Sequence, residues 1–292
     1  MKLLSDIKKG SLYALTSGLL YGLIGYFGIM IMDAGISIYN MVFFRFLIST
    51  LSILPLAIFH YKTLFASPKE NLKMFFYGLG LYAFSAIFYF ISSKYLGTGL
   101  AMVIFFTYPA IVVVFNILYY RITLQKIYYI ALPMMVIGIF MLVDSEGATF
   151  DLVGIFFGLL ASFFYALYII GSKTSKLPPI PSTFLISLGC LATGLITTIF
   201  DGSLIIPHGF EVWKNLLGLG IICTSIPILL LLLSFKYISS ESASILSVSE
   251  PIFVLIFGII LLDEKVSAIE IMGATAILIA AFITLLPEKS KA

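Results

Sequence analysis

Charged side chains make up only 11% of this 292-residue chain, against 61% apolar. A soluble domain carries roughly 25% charged and 45–50% apolar residues, so this composition excludes one. The two cysteines, Cys190 and Cys223, both sit in apolar runs and leave no room for a disulfide framework. With only two histidines there is no Cys/His zinc cluster either. Gly-x-x-x-x-Gly-Lys-Ser/Thr, His-Glu-x-x-His and Gly-x-Ser-x-Gly do not occur. That removes a P-loop and the usual signatures of zinc and serine hydrolases. No catalytic residue, cofactor or metal is expected, and a net charge of +3 gives no footing for nucleic acid.

What the chain has in excess is long apolar runs. Ten of them, at 10–32, 37–59, 72–92, 98–119, 126–143, 152–172, 182–200, 212–234, 241–262 and 267–286, come close to the roughly 20 residues that cross a bilayer as helix. Membrane β-strands are about half as long and alternate in polarity. The expectation is an all-α integral membrane protein of ten transmembrane helices. The first run is too long for a signal-peptide core and leads straight into further runs. It is expected to stay. Lysine and arginine set the orientation: Lys94, Lys214 and Lys265 fall on one side, Arg45 inside a run, and the other thirteen on the N-terminal side. The excess marks the cytoplasmic side, so both termini are expected there.

The sequence repeats at an offset of about 142–144. Gly10, Leu15, Tyr21 and Leu23 match Gly154, Leu159, Tyr165 and Leu167. Lys94-Tyr95, Ala101, Pro109, Val112 and Phe115 match Lys236-Tyr237, Ala243, Pro251, Val254 and Phe257 without a gap. Five runs per half is an odd number, so the halves 10–143 and 152–286 would enter the membrane in opposite senses. Inverted repeats are a transporter device, with the site at the midplane between halves.

Charges inside the runs are costly and must face protein or water. At ~1.5 Å rise per residue, Arg45 and Glu250 differ in depth by about 6 Å. They are either a substrate site, binding an anionic and a cationic group or a proton, or a structural ion pair. Pro109 and Pro251 lack an N–H and clash with the carbonyls of Phe105 and Ser247, so each helix is expected to kink there and to line the site as a hinge, or else to kink only for packing. Ser244, Ser247 and Ser249 could satisfy the freed backbone groups, and Ser247 is also a candidate substrate contact. Tyr21, Tyr82, Tyr89, Phe105, Tyr108 and Tyr165 are the candidate aromatic lining, and Tyr82 and Tyr89, seven apart, share a helix face. Each is otherwise a packing residue. Gly18, Gly22 and Gly25 form a ridge for close helix approach. Trp213 and Tyr237 read as interface anchors, and Asp144, Glu146 and Asp151 as a solvated linker.

The run Lys236-Tyr237-Ile238 through Ala243 to Glu250-Pro251, with Asp263-Glu264 closing it, resembles the drug/metabolite transporter superfamily, and within it the EamA-like family of bacterial exporters. Lys94-Tyr95 to Tyr108-Pro109 is a weaker first-half copy, and Arg45 in Phe44-Arg45-Phe46 is similar to that family's second-helix arginine. The resemblance implies a ten-helix bundle around a central cavity in the inner membrane, moving small organic solutes outward. Tyr108 departs from it where a Glu would complete the symmetry. A secondary transporter is expected, with the lipid bilayer and a small-molecule substrate as its partners, driven by a solute gradient or by a proton gradient, for which a raised pKa at Glu250 would suit proton exchange. One cation and one anion at similar depth suit amino acids or related zwitterions. Import or exchange of nucleoside-like metabolites and export of amphiphilic drugs remain the alternatives.

Overall fold

In hydrocarbon an unpartnered backbone N–H or C=O is costly, so long apolar runs satisfy themselves as helices. The computed structural model describes residues 2–60, 62, 67–96, 98–121, 127–141, 151–247, 249–262 and 268–284. Helices cover most of the described residues in the apolar runs. In the first half these are α1 (Lys2–Tyr21) and α2 (Ile24–Asp33), α3 (Ile38–Phe59), α4 (Pro68–Phe76) and α5 (Ala83–Leu96), α6 (Thr98–Phe105) and α7 (Tyr108–Tyr120), and α8 (Tyr128–Met141). The second half has α9 (Leu152–Lys173), α10 (Pro179–Asp201), α11 (Phe210–Leu217) and α12 (Ile226–Ser234), α13 (Ser240–Ser247) and α14 (Glu250–Leu262), and α15 (Ala268–Thr284). Among the described residues, six continuous helical segments are long and apolar enough to cross a membrane: Asp6–Asp33, Ile38–Phe59, Pro68–Leu96, Leu152–Lys173, Pro179–Asp201 and Phe210–Ser234. Asp144, Glu146, Asp263 and Glu264 lie outside the described residues.

The kinks expected at Pro109 and Pro251 are breaks. α6 stops at Phe105 and α13 at Ser247, and each proline stands in the first turn of the next helix, where its missing N–H costs nothing. The two breaks are closed alike. Thr107 N–H and Oγ1 both donate to the Ile104 carbonyl, at 3.1 and 2.7 Å. Ser249 N–H and Oγ both donate to the Leu246 carbonyl, at 3.1 and 2.7 Å. Ser244 and Ser247 instead bond the carbonyls of Ser240 and Ala243 within α13.

A second irregularity was not expected. Tyr77–Tyr82, between α4 and α5, and Gly218–Ser225, between α11 and α12, wind as π-helix. The N–H of Ala83 reaches back to Gly78 and that of Ile226 to Ile221, one residue further than in an α-helix. Carbonyls of the first of these turns also face α10, where Cys190 Sγ donates to the Gly78 carbonyl at 3.2 Å and Thr193 Oγ1 to that of Leu79 at 2.7 Å.

Packing pairs α1 with α12 and α5 with α9, while α3 lies on α10 and α8 on α15. The contacts correspond in detail. A Cβ on Gly10 would meet Tyr237 Cβ at 2.7 Å, and one on Gly154 would meet Tyr95 Cβ at 2.8 Å. Only glycine lets these backbones approach so closely. Ser17 Oγ donates to the Pro227 carbonyl and Ser85 Oγ to the Ala161 carbonyl, both at 2.8 Å. The outer surface carries exposed Leu51, Phe59, Leu118, Phe156 and Phe200 among many others, an apolar belt of the kind that meets lipid rather than water.

Candidate functional site

Arg45, midway along α3, is 4% exposed. Its Nε–H donates to Thr224 Oγ1 at 2.7 Å, and its guanidinium lies 5.2 Å from the centre of the Phe46 ring. The terminal amino nitrogens bond none of the described residues. Thr224 is fully buried in the second π-helical turn, so that turn fixes where the guanidinium sits.

Glu250 is the first residue of α14, in the break. The positive end of that helix favours an anion there. Its side chain is partly exposed and makes no hydrogen bond or ion pair with the described residues. Arg45 is close enough for the two charges to act on each other, yet the two do not form an ion pair. Glu250 also lies within electrostatic reach of Tyr89, Tyr108 and Tyr165.

Those tyrosines belong to one cluster, which gathers all six aromatic residues singled out from the sequence. Tyr21 and Tyr82 share a hydroxyl–hydroxyl hydrogen bond of 3.1 Å between α2's neighbour α1 and the first π-helical turn. Tyr165 on α9 is the hub, with ring centres 4.7 Å from Tyr108, 5.2 Å from Phe105 and 5.8 Å from Tyr82. Tyr89 extends the cluster through Phe105 at 5.5 Å. The Tyr108 hydroxyl donates to the Ser244 carbonyl at 3.3 Å, joining α7 to α13. Ser247, buried in the last turn of α13, gives its own hydroxyl to Ala243.

Sequence reasoning missed Thr224, Phe46 and Tyr168. Tyr168 is fully buried, its ring 4.9 Å from that of Tyr82, and its hydroxyl faces Ser172 one turn along α9. A signal for it existed: it lies three residues from Tyr165, hence on the same helix face. Thr224 gave no signal, because only the π-helical turn aims it at Arg45. Trp213 donates Nε1–H to the Pro207 carbonyl at 2.9 Å and packs edge-on to Phe44. Cys190 and Cys223 are buried free thiols, and among the described residues no three His, Cys, Asp or Glu converge as metal ligands.

Two stretches of the chain, residues 8–144 and 152–286, each match the sequence profile of the EamA-like transporter family. An uncharacterized transporter of Archaeoglobus fulgidus is 26% identical over 86% of this chain and 89% of its own. The threonine/homoserine exporter RhtA of Salmonella typhimurium is 24% identical over 73% of this chain and 70% of its own. One crystal structure superposes with a TM-score of 0.83 over 95% of this chain and 96% of that one, at 16% identity, a likeness of fold.

Proposed function

The chain belongs to the EamA-like transporter family, and from that membership we propose that it is a secondary transporter exporting amino acids or related zwitterionic metabolites by alternating access. In this reading ten helices form two inverted five-helix halves, 10–143 and 152–286, in a bacterial inner membrane with both termini cytoplasmic. The family match to each half, the corresponding breaks at Pro109 and Pro251, and the corresponding contacts of Gly10 and Gly154 support the inverted arrangement.

One observation carries the substrate class. Arg45 and Glu250 sit near one aromatic cluster, within electrostatic reach but unpaired, and each keeps polar atoms that no described residue uses. A guanidinium held only through Nε is free to take a carboxylate at its amino end. A lone carboxylate at a helix start takes an ammonium group, or a proton when the site is empty. The two charges therefore fit the two ends of an amino acid, and the tyrosine rings fit its flank. The name of RhtA supports the same class at 24% identity.

Uptake into proteoliposomes with a panel of amino acids, nucleosides and lipophilic cations, with and without a pH gradient, tests this. Wild type is expected to accept zwitterions, and Glu250→Gln to lose them and any dependence on the gradient. Normal zwitterion transport by Glu250→Gln sinks the assignment. Preference for lipophilic cations would assign the rings, not the charge pair, as the recognition element.

A further inference from the structure

The link from α12 to α13, residues 235–244, lies at the end of the bundle where α1 begins. α12 packs on α1 and so does α13, whereas α5 and α7 pack on α9. Three polar ties cross from the second group to the link. Lys173, the last residue of α9, donates from Nζ to the carbonyls of Phe235 and Ile238, the latter at 2.8 Å. Asn116, near the end of α7, donates from Nδ2 to Ser240 Oγ at 3.3 Å. The Tyr108 hydroxyl donates to the Ser244 carbonyl. Within its own group the link is braced by Gly10 against Tyr237, and by the Lys9 ammonium, 5.2 Å from the Tyr237 ring centre.

The repeat shows how little of this grip recurs elsewhere. At the offset of 142 the matching link is 93–102, which joins α5 to α6. It keeps the glycine contact, Gly154 against Tyr95, and a bond from the Ser92 hydroxyl to the Gly154 carbonyl at 2.8 Å. The crossing ties have no counterpart in its sequence. Asn116 is matched by Gly258, which has no side chain to donate. Tyr108 is matched by Glu250, and a carboxylate accepts hydrogen bonds but gives none. At the offset of 144 that pairs Gly10 with Gly154, Lys173 is matched by Ile29, and α2 holds no lysine or arginine. The brace is unequal too, since Val153 stands for Lys9. The two links share their backbone contacts but not their polar ones, so parting the two groups costs more at the α1 end.

We propose that residues 235–244 form the gate at the α1 end and that Lys173, with Asn116 and Tyr108, bolts it shut, so the transporter rests closed on that side and opens more readily at the other. In the alternating-access reading on which this rests, loading from the α1 end requires the bolt to part. Lys173 is its strongest member. A bond from an ammonium to a carbonyl is about twice as strong as a neutral one, and Lys173 makes two. Both go to the turn after α12, where helix-end carbonyls lack intrahelical partners. A two-state equilibrium moves by whatever one state gains over the other, and these bonds belong to the closed state alone.

Labelling of single cysteines by a water-soluble methanethiosulfonate tests the gate, in the full chain carrying Cys190→Ser and Cys223→Ala. Ser244→Cys reports the α1 end, and Met102→Cys, at the matching position of the repeat, reports the other. Lys173→Met is expected to speed labelling of Ser244→Cys about tenfold, the worth of one bond to a charged group, with no rise at Met102→Cys. Lys173→Arg keeps the donors and should stay near the starting rate. So should Lys8→Met, an exposed lysine on α1. Melting of each variant checks folding, and if Lys173→Met does not fold, Asn116→Leu is expected to speed Ser244→Cys about threefold, for one neutral bond. An unchanged rate at Ser244→Cys overturns the gate. An equal rise at both probes, or an equal effect of Lys8→Met, means general loosening and overturns it too. Proteoliposome uptake by the same variants separates the two readings: labelling that shifts as expected while no amino acid is transported keeps the gate and removes the substrate assignment.

Discussion

Arg45 Nε and Thr224 Oγ1 meet at 2.7 Å in a bond with a fixed direction, because the Thr224 proton already goes to the Leu219 carbonyl at 2.6 Å. The threonine can only accept from the guanidinium. Thr224→Val keeps the shape and removes the acceptor. It is expected to lower unfolding free energy by about 1.5–3 kcal/mol, the range for a bond to a charged group, and to raise the KM for substrate by letting the guanidinium swing. Thr224→Ser should restore both. Denaturant titration in detergent and proteoliposome kinetics measure the two effects separately.

Arg45 and Glu250 make no ion pair, but their charges act on each other, so their contributions to stability should couple weakly. In a cycle of Arg45→Gln, Glu250→Gln and the double variant, the coupling is expected to stay at about 0.5–1 kcal/mol, the low end for interacting residues. A coupling well above that would mean a structural pair in the membrane.

The hydroxyls of Tyr21 and Tyr82 depend on each other. Replacing either by Phe leaves a buried hydroxyl unsatisfied, at a cost of about 1–3 kcal/mol. The double Phe variant should be more stable than the two single losses add up to, because no orphan remains. Thermal melting of the four proteins decides it, and strict additivity would rule out the shared bond.

Pro109→Ala and Pro251→Ala give the helix a chance to run through its break. Each is expected to raise the melting temperature while slowing transport about tenfold, which needs only ~1.4 kcal/mol on the barrier. Substrate affinity should hold. A variant that transports at the wild-type rate would show that the break only serves packing.

Much of the helical layout is legible in the sequence, since apolar run length tracks the thickness of hydrocarbon. The aromatic cluster is legible too: spacing puts Tyr82 and Tyr89 on one face, and the repeat relates Tyr21 to Tyr165. Depth could be read for Arg45 and Glu250, but partners depend on how each helix is rotated about its axis, and rotation is set by packing. That is why a possible Arg45–Glu250 pair gave way to Arg45–Thr224. The prolines were visible while their consequence was not. A proline predicts a lost bond, and whether the helix bends or stops depends on whether Thr107 and Ser249 can close the turn before it. The π-helical turns carry only weak marks, Gly78 and Gly80 in one and Gly218 and Gly220 in the other, within otherwise ordinary apolar runs.

Because Thr107 and Ser249 close off the first rod of each interrupted helix, none of the described backbone bonds ties α6 to α7 or α13 to α14 directly. Each is a pair of short rods on a swivel. In the proposed transport cycle, a tilt of one rod would be absorbed at this joint and leave the other rod in place.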